Sequence, residues 1–110
     1  MRDVYRILDA NLNRAREAMR VAEEYGRFVL NDARLASMAK TMRSELQQIA
    51  ASLPAAALLA ARNTAGDVGT ALTSPTESVR PTAAATATAA CKRLTEALRA
   101  IEEYAKIVSP

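Results

Sequence analysis

The sequence has no histidine and a single cysteine. Histidine is the commonest general base and a frequent metal ligand near neutral pH. Without it, no metal cluster, serine triad or cysteine nucleophile of the usual kinds can be assembled. The lone Cys91 excludes an internal disulfide, and its position in a helical pattern predicts a small buried apolar side chain.

Aromatic residues are also scarce, at 4% of a chain of 110 residues that is nevertheless 50% hydrophobic. Alanine makes up much of that apolar content, and it buries little area at roughly 25 cal/mol per Å². We therefore expect residues 1–110 to form one helical domain with a thin core, and we expect a homo-oligomer to compensate for it.

The formal net charge is only +3, and acidic and basic residues interleave along the chain. A nucleic-acid-binding protein would cluster its lysines and arginines on one face, so this pattern argues against nucleic acid and favours a small anionic ligand. The sequence shows neither a signal peptide nor 18 consecutive apolar residues, which predicts a cytoplasmic protein without a membrane partner.

One stretch occurs twice. Positions 10–29 read ANLNRAREAMRVAEEYGRFV, and positions 89–108 read AACKRLTEALRAIEEYAKIV, at an offset of 79 residues. Two copies are too few for a solenoid, in which about three or more units stack. We expect instead two matching helices that frame one domain pseudo-symmetrically.

Helical periodicity dominates the chain, and no strand-like alternation occurs. We predict an all-α bundle of three long helices plus short helices. The long helices run from Asp3 or the Met1–Arg2 end to about Leu30, from Ala33 to Leu53 and from about Thr82 to Val108; a short one covers Ala55 to Ala61, and a capping box is expected at 74–77. The second long helix has the cleanest apolar stripe, which predicts a core-packing role: Leu35, Met38, Met42, Leu46, Ile49, Leu53.

The first repeat carries a charged face with the opposite-sign pairs Arg20–Glu24 and Glu23–Arg27, as expected of a solvated helix surface. Asn11 departs from that arrangement because a helical wheel places it in the middle of the apolar face. Arg14 lies at the edge of that face, and Arg93 occupies the equivalent place in the second repeat. The two guanidinium groups either point into one cleft, where they would hold phosphate, or form structural ion pairs with Glu17 and Glu96.

The loop from Arg62 to Thr70 contains two of the three glycines, Gly66 and Gly69, on either side of Asp67. Closely spaced backbone N–H groups there can form an anion-binding nest, Asp67 can hold Mg²⁺, and Thr64 or Thr70 can add a hydroxyl group. The same pattern is also typical of an ordinary turn.

Three ordered motifs, RILDANLNRAREAMRVAEEYGRF, ARNTAGDVGT and AACKRLTEALRAIEEYAK, resemble the small hydroxymethylpyrimidine-phosphate kinase family of thiamine biosynthesis. That domain occurs alone or fused ahead of thiamine-phosphate synthase. The resemblance implies phosphoryl transfer from ATP, with Mg²⁺, to 4-amino-5-hydroxymethyl-2-methylpyrimidine monophosphate. Family members usually continue past the last motif, which implies either an excised domain or a trimmed fragment, and many have asparagine in the place of Ala90.

The resemblance implies catalytic roles for Arg14, Arg93 and Asp67, and Mg²⁺ ligands among Asp67, Glu17 and Glu96. Substrate or phosphate contacts would come from Asn11, Arg62, Thr64, Gly66, Gly69, Thr70, Arg20 and Arg99. The alternative to a kinase is a non-catalytic oligomerisation or interaction domain attached to a thiamine-phosphate synthase. A small helical nucleic-acid binder is the third and least favoured hypothesis.

Overall fold

The computed structural model describes residues 1–72 and 79–109. Three long helices and two short helical segments account for the ordered elements in this part of the chain, which contains no strand. The elements are α1 (Arg2–Glu24), a π-helical turn (Tyr25–Val29), α2 (Ala33–Ala51), α3 (Ala55–Ala61) and α4 (Ala83–Val108). The predicted all-α bundle is confirmed. The predicted capping box at 74–77 lies outside the described residues.

The core lies mainly between α1 and α4, the helices that carry the two repeats. Equivalent positions of the repeats are buried together in this core. The matched pairs, 79 residues apart, are Asn11 with Ala90, Ala15 with Leu94 and Ala18 with Ala97, and Leu8 with Ala87 extends the same register just before the two repeats. Leucine in one copy corresponds to alanine in the other at two of these pairs. The two helices therefore bury most of the same face, although Leu12 is buried in α1 and its counterpart Cys91 is exposed on α4.

The π-helical turn ends the first helix and reverses the chain. Its last bond runs from the Leu30 N–H to the Tyr25 carbonyl at 3.1 Å, and Asn31 then adopts a left-handed conformation with φ of 49°. Asparagine tolerates that region better than most residues. Asp32 caps α2, since its Oδ1 accepts a hydrogen bond from the Leu35 N–H at 3.0 Å. Gly26 lets α2 approach closely, because a Cβ there would lie 3.3 Å from Leu35 Cβ.

The prediction that the stripe of α2 packs into the core is wrong for most of its members. Leu46 is buried and Leu53 is half-buried, whereas the other four side chains face outward. Their exposed fractions are 41% for Leu35, 51% for Met38, 41% for Met42 and 47% for Ile49. The physical reason is the arrangement of the helices: α2 packs on α1 and the π-helical turn, while α4 covers the main apolar face of α1.

The expectation that Cys91 is buried is wrong. Cys91 is exposed rather than buried, because it lies on the solvent side of α4. Within residues 1–72 and 79–109, no helix combines the length and the hydropathy needed to span a lipid bilayer.

Candidate functional site

A cleft with a volume of about 850 Å³ lies between the first half of α1 and the segment from Ala61 to Val68. Helix α1 contributes three arginines, Arg2, Arg6 and Arg14, because their spacing of four and eight residues keeps them on neighbouring faces. Its other lining residues are Met1, Asp3, Ile7, Ala10, Asn11, Ala61, Asn63, Gly66, Asp67 and Val68.

The charges that line the cleft differ in how far they are neutralised. Asp3 lies 3.6 Å from the N-terminal amine of Met1 and accepts a hydrogen bond from the Val4 N–H. Arg6 Nη2 donates to the Asn63 carbonyl at 2.9 Å and so holds the loop against α1. Arg14 is exposed and makes no ion pair with any residue of the described ranges. The cleft therefore presents guanidinium groups that are available to an anion.

Asn11 is buried at the inner side of the cleft, as the helical wheel predicts, with 6% of its surface exposed. Its Nδ2 donates to the Ile7 carbonyl one turn earlier, at 2.9 Å. The amide is therefore satisfied by its own helix, and it lies at the border between the core and the cleft.

The glycine loop forms local turns. The Gly66 N–H donates to Asn63 Oδ1 at 2.8 Å, and the Gly69 N–H donates to Asp67 Oδ1 at 2.8 Å. Thr70 Oγ1 donates to the Asp67 carbonyl at 2.9 Å. A Cβ at residue 66 would require the Asn63 carboxamide to move from the position in which it accepts this hydrogen bond. The two glycine amides already have side-chain acceptors, so the loop matches the ordinary-turn reading of this motif more closely than an open anion nest.

Arg62 is paired with Asp9 in a two-point ion pair, with Nη2 to Oδ1 at 2.7 Å and Nε to Oδ2 at 2.9 Å. The pKa of Arg62 is raised above its ordinary value. The hydrogen bonds with Asp9 are the larger cause, and the negative charge of the Asp9 carboxylate is the smaller one. Asp9 is buried, and its partner Arg62 follows α3 directly. This pair anchors the start of the loop to α1. The guanidinium group of Arg62 therefore binds the Asp9 carboxylate and is not free to bind phosphate.

The remaining predicted site residues lie outside the cleft. Arg93 is exposed on α4 and does not line it, so the structure does not bring Arg93 and Arg14 together there. Arg20 pairs with Glu24 at 3.5 Å, as predicted, and Arg99 is held by Glu102 and Glu103. The predicted partner of Glu23 is wrong: its carboxylate binds Arg43 of α2 at 2.9 Å instead of Arg27, because α2 packs beside it.

The predicted metal ligands Asp67, Glu17 and Glu96 do not gather. Across the described ranges, no group of three or more histidine, cysteine, aspartate or glutamate side chains is close enough to hold a metal ion. Glu17 and Glu96 are exposed on α1 and α4, and neither forms the expected ion pair with Arg14 or Arg93 in this part of the chain. ATP and Mg²⁺ stay predictions of the resemblance.

Sequence reasoning missed three participants in the cleft and its anchor: Arg2, Arg6 and Asp9. The signal for the first two was their four-residue spacing on the first turns of α1, which puts both on the side of Asn63. Asp9 carried a weaker signal, as a carboxylate one residue after the fully buried Leu8. Only the position of α3 reveals that Arg62 reaches it.

The helices and the cleft define a small all-α domain with an open, arginine-lined cleft. The chain belongs to the ThiD2 family, whose family model matches residues 6–110. No solved structure matches the chain significantly.

The curated relatives bear the name thiamine-phosphate synthase. The chain is 50% identical over 107 residues to that of Nostoc punctiforme, covering 97% of this chain and 29% of the relative. It is 50% identical over 102 residues to that of Thermosynechococcus vestitus, covering 93% and 28%, and 43% identical over 105 residues to that of Rhodopirellula baltica, covering 96% and 28%. The chain thus spans under a third of the length of these relatives.

These matches correct the kinase expectation. The relatives that align with nearly the whole chain are named for thiamine-phosphate synthesis and not for phosphorylation of a pyrimidine. They favour the alternative reading, in which the chain corresponds to a non-catalytic domain associated with a synthase. The association with thiamine biosynthesis is upheld, and the kinase activity is not.

Proposed function

We propose that this chain is a non-catalytic interaction domain of a thiamine-phosphate synthase, fused to the synthase or bound to it. The observation that carries the proposal is the coverage of the relatives: 97% of this chain aligns with only 29% of the Nostoc punctiforme synthase. The rest of that relative is long enough for a separate catalytic domain, since domains typically have 50–250 residues.

The distribution of apolar side chains supports an interaction role. Outside the α1/α4 core, several large apolar residues are exposed, and groups of such residues commonly mark protein interfaces. They lie on the π-helical turn and its end (Phe28, Val29, Leu30), on α2 (Leu35, Met38, Met42, Ile49) and at the end of α4 (Tyr104, Ile107).

The experiment uses the Nostoc punctiforme relative. The 107 residues that align with this chain are deleted, and the present chain is supplied as a separate polypeptide. We expect the shortened synthase to keep its turnover, and we expect this chain to bind it in isothermal titration calorimetry. Two results would contradict the proposal. The first is that this chain does not bind the shortened synthase and that the shortened synthase is as stable as the full-length one. The second is product formation by the isolated chain.

The arginine-lined cleft favours a second role, namely retention of a small phosphate-bearing molecule without turnover. The product named in the relatives, thiamine phosphate, is a phosphate ester, and Arg2 and Arg14 offer guanidinium groups that bind phosphate oxygens. A domain that binds such a molecule beside a synthase would raise its local concentration.

Calorimetric titration with thiamine phosphate, inorganic phosphate and thiamine tests this second role. We expect thiamine phosphate to bind more tightly than thiamine, and Arg14→Gln to weaken binding roughly tenfold for one lost charge-assisted contact. Arg34→Gln is the matched control, because Arg34 is exposed on α2 and does not line the cleft. Equal weakening by both variants would indicate non-specific charge attraction and refute the role.

A further inference from the structure

One polar atom at the inner side of the cleft has no partner in the described chain. The Asn11 side chain is 6% exposed, and its Nδ2 donates to the Ile7 carbonyl at 2.9 Å. A backbone carbonyl can only accept, so this bond fixes the orientation of the carboxamide and leaves Oδ1 on its other arm. Within residues 1–72 and 79–109, no N–H or O–H group donates to that oxygen.

The Asn11 oxygen opens onto the cleft. Among the residues of the described chain that are not exposed, the one fully enclosed side-chain nitrogen or oxygen without a well-aligned hydrogen bond belongs to Arg43, so Asn11 Oδ1 is not sealed in the core. Asn11 lines the cleft between Ala10 and Arg14. A nearly buried acceptor is costly unless water or a ligand supplies a donor. The donor for Asn11 must therefore come from the cleft.

The second repeat shows that the fold does not require an amide at this register. The equivalent position on α4 is Ala90, which is completely buried in the same core. Asparagine is less favourable than alanine inside a helix, and a buried amide needs partners for both of its polar atoms. Packing alone therefore gives no reason for an asparagine at position 11.

We infer that the cleft holds a phosphate-bearing molecule whose organic part carries an N–H donor, and that Asn11 Oδ1 accepts this N–H while Arg14 binds the phosphate. The inference rests on the proposed retention of such a molecule by the cleft, and it names the chemical class that is retained. Asn11 and Arg14 are three residues apart on α1. Side chains at this spacing are neighbours, with Cβ atoms about 5–6 Å apart, so one small ligand can contact both.

An acceptor at the inner side of the cleft selects ligands by their polarity. An amino group of the ligand gives Asn11 Oδ1 a direct hydrogen bond. A ligand with a carbon–hydrogen group in that place excludes water from the oxygen and supplies no donor. Sites that hydrogen-bond a polar group of the ligand reject analogues that lack the group for this reason. Thiamine phosphate, the product named in the relatives, has the required chemistry, since its pyrimidine ring carries an amino group.

Isothermal titration calorimetry with two matched probes tests the inference. The first probe is thiamine phosphate, whose amino group carries the only N–H hydrogens of the molecule near neutral pH. The second is its analogue with hydrogen in place of that amino group. We expect the wild-type chain to bind the amino probe at least roughly tenfold more tightly, for one hydrogen bond to a nearly buried acceptor. Asn11→Ala and Asn11→Leu should bind the two probes equally, and leucine also keeps the side chain close to its original size.

Two further variants separate the two contacts. Asn13→Ala is the matched control, because Asn13 has the same side chain on α1, accepts a hydrogen bond from Arg16 and does not line the cleft. This variant should keep the preference for the amino probe. Arg14→Gln should weaken both probes by the same factor, because it removes only the phosphate contact. Circular dichroism of each variant checks that helix content is retained.

A measurement on the wild-type chain decides the case in which the Asn11 variants fail to fold. With ¹³C-labelled asparagine, the NMR signal of the Asn11 side-chain carbonyl should shift on addition of thiamine phosphate and stay in place on addition of the analogue. The same shift with both probes would overturn the inference.

Equal binding of the two probes by the wild-type chain would also overturn the inference, as would a preference for the amino probe that survives in Asn11→Ala or Asn11→Leu. Weaker binding by Arg14→Gln would in those cases leave the retention role standing. If neither probe binds, the inference and the retention role fail together. Association with a synthase is measured separately and is independent of these outcomes.

Discussion

Replacing Asn11 by alanine tests whether the side-chain amide of Asn11 stabilises the fold or binds a ligand. Asn11 is buried on α1 at the border of the cleft, and its side chain donates one hydrogen bond to the Ile7 carbonyl at 2.9 Å. The equivalent position in the second repeat is Ala90, which is completely buried. The fold thus already shows that alanine packs at this register of the α1/α4 core.

The expected change in stability is small because two effects oppose each other. The lost side-chain hydrogen bond contributes about 0.5–1.5 kcal/mol net, while alanine is favoured over asparagine inside a helix by up to about 0.7 kcal/mol. The Ile7 carbonyl still accepts the backbone N–H of residue 11 within α1, so no buried acceptor loses its last partner. We expect a change of less than about 1 kcal/mol in the free energy of unfolding, or a Tm shift below about 8 °C for a domain of this size.

Urea denaturation followed by circular dichroism measures the stability, and calorimetric titration with thiamine phosphate measures the binding. Asn11→Ala should weaken binding roughly tenfold, equivalent to about 1.4 kcal/mol for one ligand hydrogen bond. The reverse change, Ala90→Asn, should destabilise the chain by about 1–3 kcal/mol, because it forces an amide into a filled core. Loss of more than about 2 kcal/mol by Asn11→Ala with unchanged affinity would refute the reasoning and make the amide structural.

Three further predictions concern single contacts. Asp32→Ala should cost about 1 kcal/mol of stability in denaturant titration, because it removes the cap of α2, whereas Asp32→Ser should recover most of it. Arg62→Ala should lower Tm more than the double variant Asp9→Asn/Arg62→Ala, since the single variant leaves a buried carboxylate without its partner; equal Tm values would contradict this. The pKa of Glu103 is lowered by its hydrogen bond from Lys106 and then by the charge of Arg99. Its contribution is therefore present above the ordinary value of 4.5 and lost as pH falls below it, so the Tm gap between wild type and Glu103→Gln should close at acidic pH.

Local features of the chain could be predicted from the sequence because they depend on neighbours within one or two turns. The helical pattern, the cap at Asp32 and the burial of Asn11 all follow from 3.6-residue periodicity and from side chains that reach their own backbone. The repeat likewise predicted that two helices bury the same register. Its pairs Ala15 with Leu94 and Ala18 with Ala97 are buried, whereas Leu12 is buried and its counterpart Cys91 is exposed.

Only the tertiary structure determined which apolar face is covered and which charges meet. A stripe such as Leu35, Met42 and Ile49 indicates that one side of a helix is apolar. It does not indicate whether another element of the same chain packs against that side. Contacts between residues distant in sequence, such as Arg62 with Asp9, 53 positions apart, depend on how helices are placed and leave no periodic trace. The arginine-lined cleft has the same origin, because it exists only where the segment from Ala61 to Val68 lies against α1.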